Sequence, residues 1–250
     1  MASLTGSTVA STYKDLLQVS NSNSGVDTTA RAVEDGEGTA SLLYLSTTDV
    51  YSPGTGGTSN TAFGKNAGDA LTTGGNYNAV FGEDAGTAIT TGESNVSVGF
   101  EALSVNTTTS RNSAFGYRAL KNNIADNNSA FGQEAMLSNT SGAYSVAFGR
   151  QALTTNTTGT RNTALGAVSL KENTTGSNNT AVGFESLKAN TTGASNVAVG
   201  KDSLKANTTG SENGAFGFEA LLANTTGTYN TCNGYASGRG NTSGHSNAGF

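Results

Sequence analysis

The segment Gly183–Val199 reads Gly-Phe-Glu-Ser-Leu-Lys-Ala-Asn-Thr-Thr-Gly-Ala-Ser-Asn-Val-Ala-Val, and a second version of it opens at once on Gly200. A glycine in the same setting recurs at positions 64, 82, 99, 116, 132, 149, 166, 183, 200, 217 and 234. Eight of the ten intervals are 17 residues long; the first is 18 and the fourth is 16. Self-similarity at a fixed short period marks a solenoid or fibrous repeat.

Each place in the unit has its own residue type. Asn stands four residues before the glycine in every copy from Asn60 to Asn230 except one, where Ser145 replaces it. A small residue, usually Ala, stands two before. The residue just before is large and apolar from Phe63 to Phe216, and Asn233 breaks that row. Three residues after comes Ala or Ser, and four after comes Leu or Met from Leu103 to Leu221. An Asn-Thr-Thr-Gly turn usually follows, as at Asn156, Asn173, Asn190, Asn207 and Asn224.

No helical period fits this order. An apolar pair, a glycine, a second apolar pair and four turn-forming residues predict two short strands with corners per unit. Stacked units place like residues about 4.8 Å apart, so Asn, Thr and aliphatic ladders are expected. Ten intervals give a rod of roughly 48 Å on that spacing. The fold class is therefore all-β: a β-solenoid or β-roll shaft over residues 60–250, with a triple β-spiral as the alternative that climbs further per repeat. The glycine is expected at the corner between two strands. The Ala-Val and Ser-Leu pairs are expected to fill the core or a seam between chains. A coil of this size holds only about three or four apolar side chains, and thin cores are usually completed by oligomerisation. A parallel homotrimer is the expectation.

Composition narrows the classes further. Only 34% of residues are apolar and 12% charged, with 34 glycines against one proline. The strict period and a net charge of −5 argue for an ordered repeat over disorder. No basic patch stands out among 13 Lys and Arg, so no nucleic-acid partner is expected. Neither a signal peptide nor an apolar run of about 20 residues is visible, so neither export nor membrane insertion is expected. The single cysteine excludes an intrachain disulfide.

Residues 1–52 stand outside the repeat. Asp15–Val19 and Ser41–Leu45 are apolar runs of strand length, separated by turn-rich Asn21–Gly25 and Asp35–Gly38. They predict a small β-rich module with a short helix or strand near Thr28–Val33. Residues 53–59 form a Gly-rich linker. At the far end Gly238 holds the leucine place, and the chain reaches Phe250 one residue before the next expected glycine. Terminal repeats often depart from the pattern, and a distal domain after residue 250 is the expectation.

Asn112-Ser-Ala-Phe-Gly-Tyr-Arg-Ala-Leu120 and Asn179-Thr-Ala-Val-Gly-Phe-Glu-Ser-Leu187 resemble repeats of bacteriophage tail-fibre proteins. They are similar, more distantly, to the head repeats of trimeric autotransporter adhesins, which form trimeric parallel β-rolls. Tyr13–Gly25 and Val33–Ser41 look like the leading segment that anchors phage fibres to the particle. The resemblance implies a structural virion component, made in the host cytoplasm. Residues 1–52 would bind phage tail or other virion proteins, and a distal tip would meet a host surface receptor. A self-cleaving chaperone domain often ends such fibres; nothing here resembles one. A capsid or neck fibre is the alternative placement, and a shaft that itself binds polysaccharide or ice is the alternative function.

Reactive side chains do not recur. His245 is the single histidine and reads as a surface residue; Cys232 takes a place otherwise held by Ala, Ser or Val and reads as a buried small hydrophobe. Asp84, Glu101, Glu134, Glu185, Asp202 and Glu219 share the place two after the glycine. Lys121, Lys171, Lys188 and Lys205 lie three further on, which predicts a charge-balanced solvated face. The Asn-x-Thr/Ser sequons read as turn residues. Adjacent threonines such as Thr191-Thr192 would point to opposite faces of a strand. No enzyme, catalytic residue, cofactor or metal is expected.

Overall fold

The computed structural model describes residues 57–250 in full and, before them, only the strands β1 (Gln18–Val19), β2 (Arg31–Glu34), β3 (Ala40–Leu45) and β4 (Val50–Tyr51). These four pair antiparallel in chain order. The two apolar runs contribute to β1 and β3, and the segment expected as helix or strand overlaps β2. The remainder of the 1–52 module and the start of the 53–59 linker lie outside the described residues.

From residue 61 onward one strand recurs per coil: β5 (Thr61–Phe63), β6 (Ala79–Phe81), β7 (Val96–Val98), β8 (Ser113–Phe115), β9 (Ser129–Phe131), β10 (Val146–Phe148), β11 (Thr163–Leu165), β12 (Thr180–Val182), β13 (Val197–Val199), β14 (Gly214–Phe216), β15 (Thr231–Asn233) and β16 (Ala248–Gly249). They form one 12-stranded sheet in chain order. Every neighbouring pair is parallel and in register, as in Thr180↔Val197, Ala181↔Ala198 and Val182↔Val199. The chain is a β-solenoid. At about 4.8 Å per step, its eleven steps span about 53 Å.

Two expectations about the unit are corrected. Each coil carries one strand, not two. In the coil that follows Gly183, Glu185 (φ 56°) and Leu187 (φ 50°) adopt left-handed backbone, and the same two places do so in coil after coil. Alternating hand curls the chain back on itself, so the Ser-Leu pair makes a tight arc. Both side chains still reach the interior, each at 0% exposure. The Ala-Val pair does not fill the core together either. Strand residues alternate in direction, so Ala181 points inward while Val182 faces out. The interior is built from that Ala, the Ala or Ser three after the glycine, and the Leu or Met four after it.

The glycine earns its regularity through contact between coils. Its φ lies near +135°, and a Cβ on Gly183 would stand 2.6 Å from the carbonyl oxygen of Gly200. Any side chain there would push the coils apart.

Two buried files of asparagine run beside the core. In the leading file, the backbone N–H of Asn196 donates to Asn179 Oδ1 at 3.0 Å, and Asn196 Nδ2 donates to the same oxygen at 3.1 Å and to Gly210 O at 2.8 Å. In the trailing file, Asn190 Nδ2 donates to Asn173 Oδ1 at 2.8 Å and to Gly193 O at 2.9 Å. Burying an amide costs free energy unless it is bonded; stacking identical amides supplies each with the partner it needs. Ser145 keeps the leading file continuous, because its hydroxyl still accepts the N–H of Asn162 at 3.2 Å.

The irregular coils obey the same rules. Where glycine holds the leucine place, at Gly68 and Gly86, Leu71 and Ile89 replace the trailing asparagine. A Cβ on Gly68 or Gly86 would stand 2.9 Å from the Cδ1 of Leu71 or Ile89, so the displaced side chain fills the vacated space. The extra residue of the longest coil is Gly74, and the shortest coil turns at Ala125, whose carbonyl accepts Asn123 Nδ2 at 2.7 Å. Insertion and deletion share one turn, between the two asparagine files.

Two stability predictions follow. Asn179→Ala strands the N–H of Asn196 and the carbonyl of Gly193, and is expected to cost roughly 2–4 kcal/mol. Asn179→Ser, which copies Ser145, should cost about half as much in the same chemical denaturation. Val168, at φ 64°, is a β-branched residue in left-handed backbone, a strained choice. Val168→Asn is expected to stabilise by about 1 kcal/mol, read as a rise in denaturation midpoint.

Candidate functional site

With the interior accounted for, what the shaft offers to other molecules lies on three outward surfaces. The first is the outer face of the sheet. The row just before the glycine is exposed: Phe63 40%, Phe148 53%, Phe216 41%. Its rings stack along the axis, with centroids 4.7 Å apart for both Phe115–Phe131 and Phe131–Phe148, at interplanar angles of 9° and 18°. A flanking file just after the glycine adds Phe100–Tyr117 and Phe218–Tyr235. The Arg118 guanidinium lies 4.9 Å from the Tyr117 centroid, and Lys201 Nζ lies 5.0 Å from that of Phe218. Because the rings cover one another's faces, solvent meets mainly their edges. The result is a continuous apolar ribbon, not a set of separate stacking platforms. Contiguous exposed apolar surface of this kind marks an interaction site.

The second surface carries the acidic residues two after the glycine. Four of the six are ion-paired, within and between coils, while Asp84 and Glu134 accept amide N–H groups of Asn66 and Gln151 at 2.8 Å each. Glu101 meets Lys121 at 2.7 Å and Arg118 at 2.5 Å. Glu185 meets Lys188 at 2.8 Å and Lys205 at 2.5 Å. Asp202 meets Lys201 at 2.5 Å and Lys205 at 3.1 Å, and Glu219 meets Arg239 at 3.0 Å. The charge-balanced face expected from the spacing is present. The Lys121 ammonium holds the Glu101 carboxyl below its ordinary range, with partial burial opposing and Arg118 adding to the effect. Lys188 and Lys205 do the same for Glu185. At Asp202 burial pushes upward, and Lys201 and Lys205 together outweigh it.

The third surface is the threonine corner. Thr191 and Thr192 lie in a bend and not in a strand, and their side chains still differ in exposure. Thr191 is half-buried and its Oγ1 donates to Thr208 O at 3.1 Å, which leaves Thr192 as the exposed hydroxyl of the pair. The sequon asparagines of the Asn-Thr-Thr-Gly turns, such as Asn156 and Asn190, are 0% exposed. Their amides are committed to the trailing file and are closed to modification in the folded chain.

The two isolated candidates fall where the sequence placed them. Cys232 is buried at 2% exposure. His245 is exposed, and its Nδ1 accepts the backbone N–H of Thr228 at 3.1 Å, with the Thr228 hydroxyl 2.8 Å away. It continues a file in which Ser177 and Ser211 accept the N–H of Thr160 and Ala194. Among the described residues no group of three or more His, Cys, Asp or Glu is placed to hold a metal ion, and no helix is long and apolar enough to cross a membrane. The Ala-Val and Ser-Leu pairs were expected in the core or a seam, and which row faces out was not assigned from the sequence. Strict alternation about the small residue two before the glycine was the signal that would have found it.

No protein-family model, curated protein or solved structure matches the chain.

The ion-pair face sets a pH dependence. Glu101, Glu185 and Asp202 release their protons more readily in the folded chain than in the unfolded one. Their stabilisation is therefore complete above the ordinary carboxylate range and is lost as pH falls through the lowered folded values. The melting temperature is expected to hold between about pH 7 and 5 and to fall below about pH 4. Glu185→Gln should make that fall shallower, as read by calorimetry across the series.

Proposed function

We propose that this chain is a structural virion component, the shaft of a bacteriophage tail fibre that attaches to the particle through residues 1–52 and assembles as a parallel homotrimer. The shaft works as a stiff spacer that holds a host-recognition element away from the virion. The observation that carries this reading is the uniformity of the stack: twelve strands in one register, with every interior place filled by the same small set of residues and no recurring reactive group. Such a structure sets length and stiffness. The exposed apolar ribbon supports the trimeric part, since three ribbons brought together around an axis parallel to the shaft would each lose their contact with water. Three identical tips on one axis would strengthen weak receptor contacts through avidity.

Immunogold electron microscopy of phage particles, with antibodies raised against residues 57–250, provides the test. The expected result is label on slender projections from the virion. Label confined to compact, particle-free material, or absent from virions, would overturn the proposal.

A further inference from the structure

The outer row just before the glycine contains one polar residue among its twelve, and that residue is Asn233 in β15, between Phe216 and Phe250. Every fully buried asparagine of the shaft sits in one of the two inner files. Asn233 instead faces outward at the edge of the ribbon, and among the described residues its carboxamide has no hydrogen-bond partner. We propose that Asn233 sets the register and direction in which copies of this chain pack through the apolar ribbon. The inference rests on the trimeric reading above and adds what selects one alignment among many.

The occupant of the ribbon is a second copy of the chain. The outer face that carries the ribbon runs about 53 Å along the axis and about 16 Å across, counting five strand-like residues, which gives roughly 850 Å². That matches the roughly 800 Å² per partner of a standard stable interface. Thr and Ser border the apolar row on one side, and Lys65, Glu83, Arg150 and Lys201 stand among the rings on the other. A uniform apolar ribbon has a weakness, however. Slipping by one coil still sets one apolar residue of the row against another at nine of eleven levels, and the two exceptions both involve Asn233, so apolar contact by itself discriminates poorly. Asn233 removes the degeneracy. In parallel, level packing, the Asn233 side chains meet one another, and each amide can donate to its neighbour's oxygen around the axis. A one-coil slip sets Asn233 against Phe216 or Phe250, and an antiparallel arrangement about the middle of the shaft sets it against Phe81. In each alternative the amide is buried without a partner, a penalty equivalent to a roughly ten- to hundredfold preference for the level arrangement. A single polar residue in an apolar seam is a known way to fix register at some cost in stability.

Cross-linking in the full chain tests this. Chains carrying Val182→Cys are co-assembled with chains carrying Val199→Cys, one coil apart in the outer row, and linked peptides are identified by mass spectrometry. The native background should yield links between like positions. Adding Asn233→Val should raise the share of 182-to-199 links at least tenfold, while circular dichroism shows the fold retained, since valine holds this place in other coils. Moving the polar level with the pair Asn233→Val and Val98→Asn should restore like-to-like linking. An unchanged link pattern in the Asn233→Val chain, with trimers present by sedimentation, would overturn the role of Asn233 alone. A native chain that sediments as a monomer and gives no links would overturn both this assignment and the trimeric reading.

Discussion

A coil whose interior consists of alanine, serine and one leucine cannot hold itself closed by apolar burial alone. The structure depends instead on buried amides that find their partners only in the adjacent coils. Each asparagine of the leading file receives a backbone N–H from the next coil, and each asparagine of the trailing file from Asn139 onward passes its own N–H to the coil before. One level of the stack is therefore incomplete without its neighbours. This is why register is kept over twelve strands of at most three residues each, although such short strands would be weak partners by themselves. The glycine file belongs to the same constraint, because the backbone approach that the amides require leaves no room for a Cβ.

Much of this was legible in the residues. The period, the all-β class, the stacking of like on like and the balance of the charged face all follow from which residue types recur at which interval. The shape of the unit was less legible. Two apolar pairs per repeat suggest two strands, but the second pair, Ser186-Leu187 in one copy, lies in backbone of alternating hand. Leucine in left-handed backbone is uncommon enough that local propensity gives no warning of it. Burial of a large side chain at every level compensates for the local strain, a tertiary effect that a single unit cannot reveal.

The candidate surface was hidden for a related reason. Large apolar residues suggest an interior, and Phe115, Phe131 and Phe148 lie outside because the strand alternates about an alanine for which the interior has just enough space. The first two coils show how little the interior tolerates in the other direction. Where glycine removes the leucine, Leu71 or Ile89 reaches in from the asparagine place to restore the lost volume. At Gly238 the same loss is met differently: Asn241 keeps the asparagine place, and Cys232 Sγ and Leu221 Cδ2 lie nearest the glycine.

The trailing asparagines have one more property. From Asn139 to Asn241 each Nδ2 donates toward the coil nearer the N-terminus, so the side-chain amides in that column lie in the same sense. Dipoles aligned head to tail reinforce one another, and the column resembles a helix in that respect, with its positive end toward the N-terminus. At the other end, Asn241 Oδ1 turns back to accept the N–H of Gly244 at 2.9 Å. That column is thus polar along the axis, while backbone N–H groups such as those of Leu187, Thr191 and Val197 donate toward the following coil and oppose it.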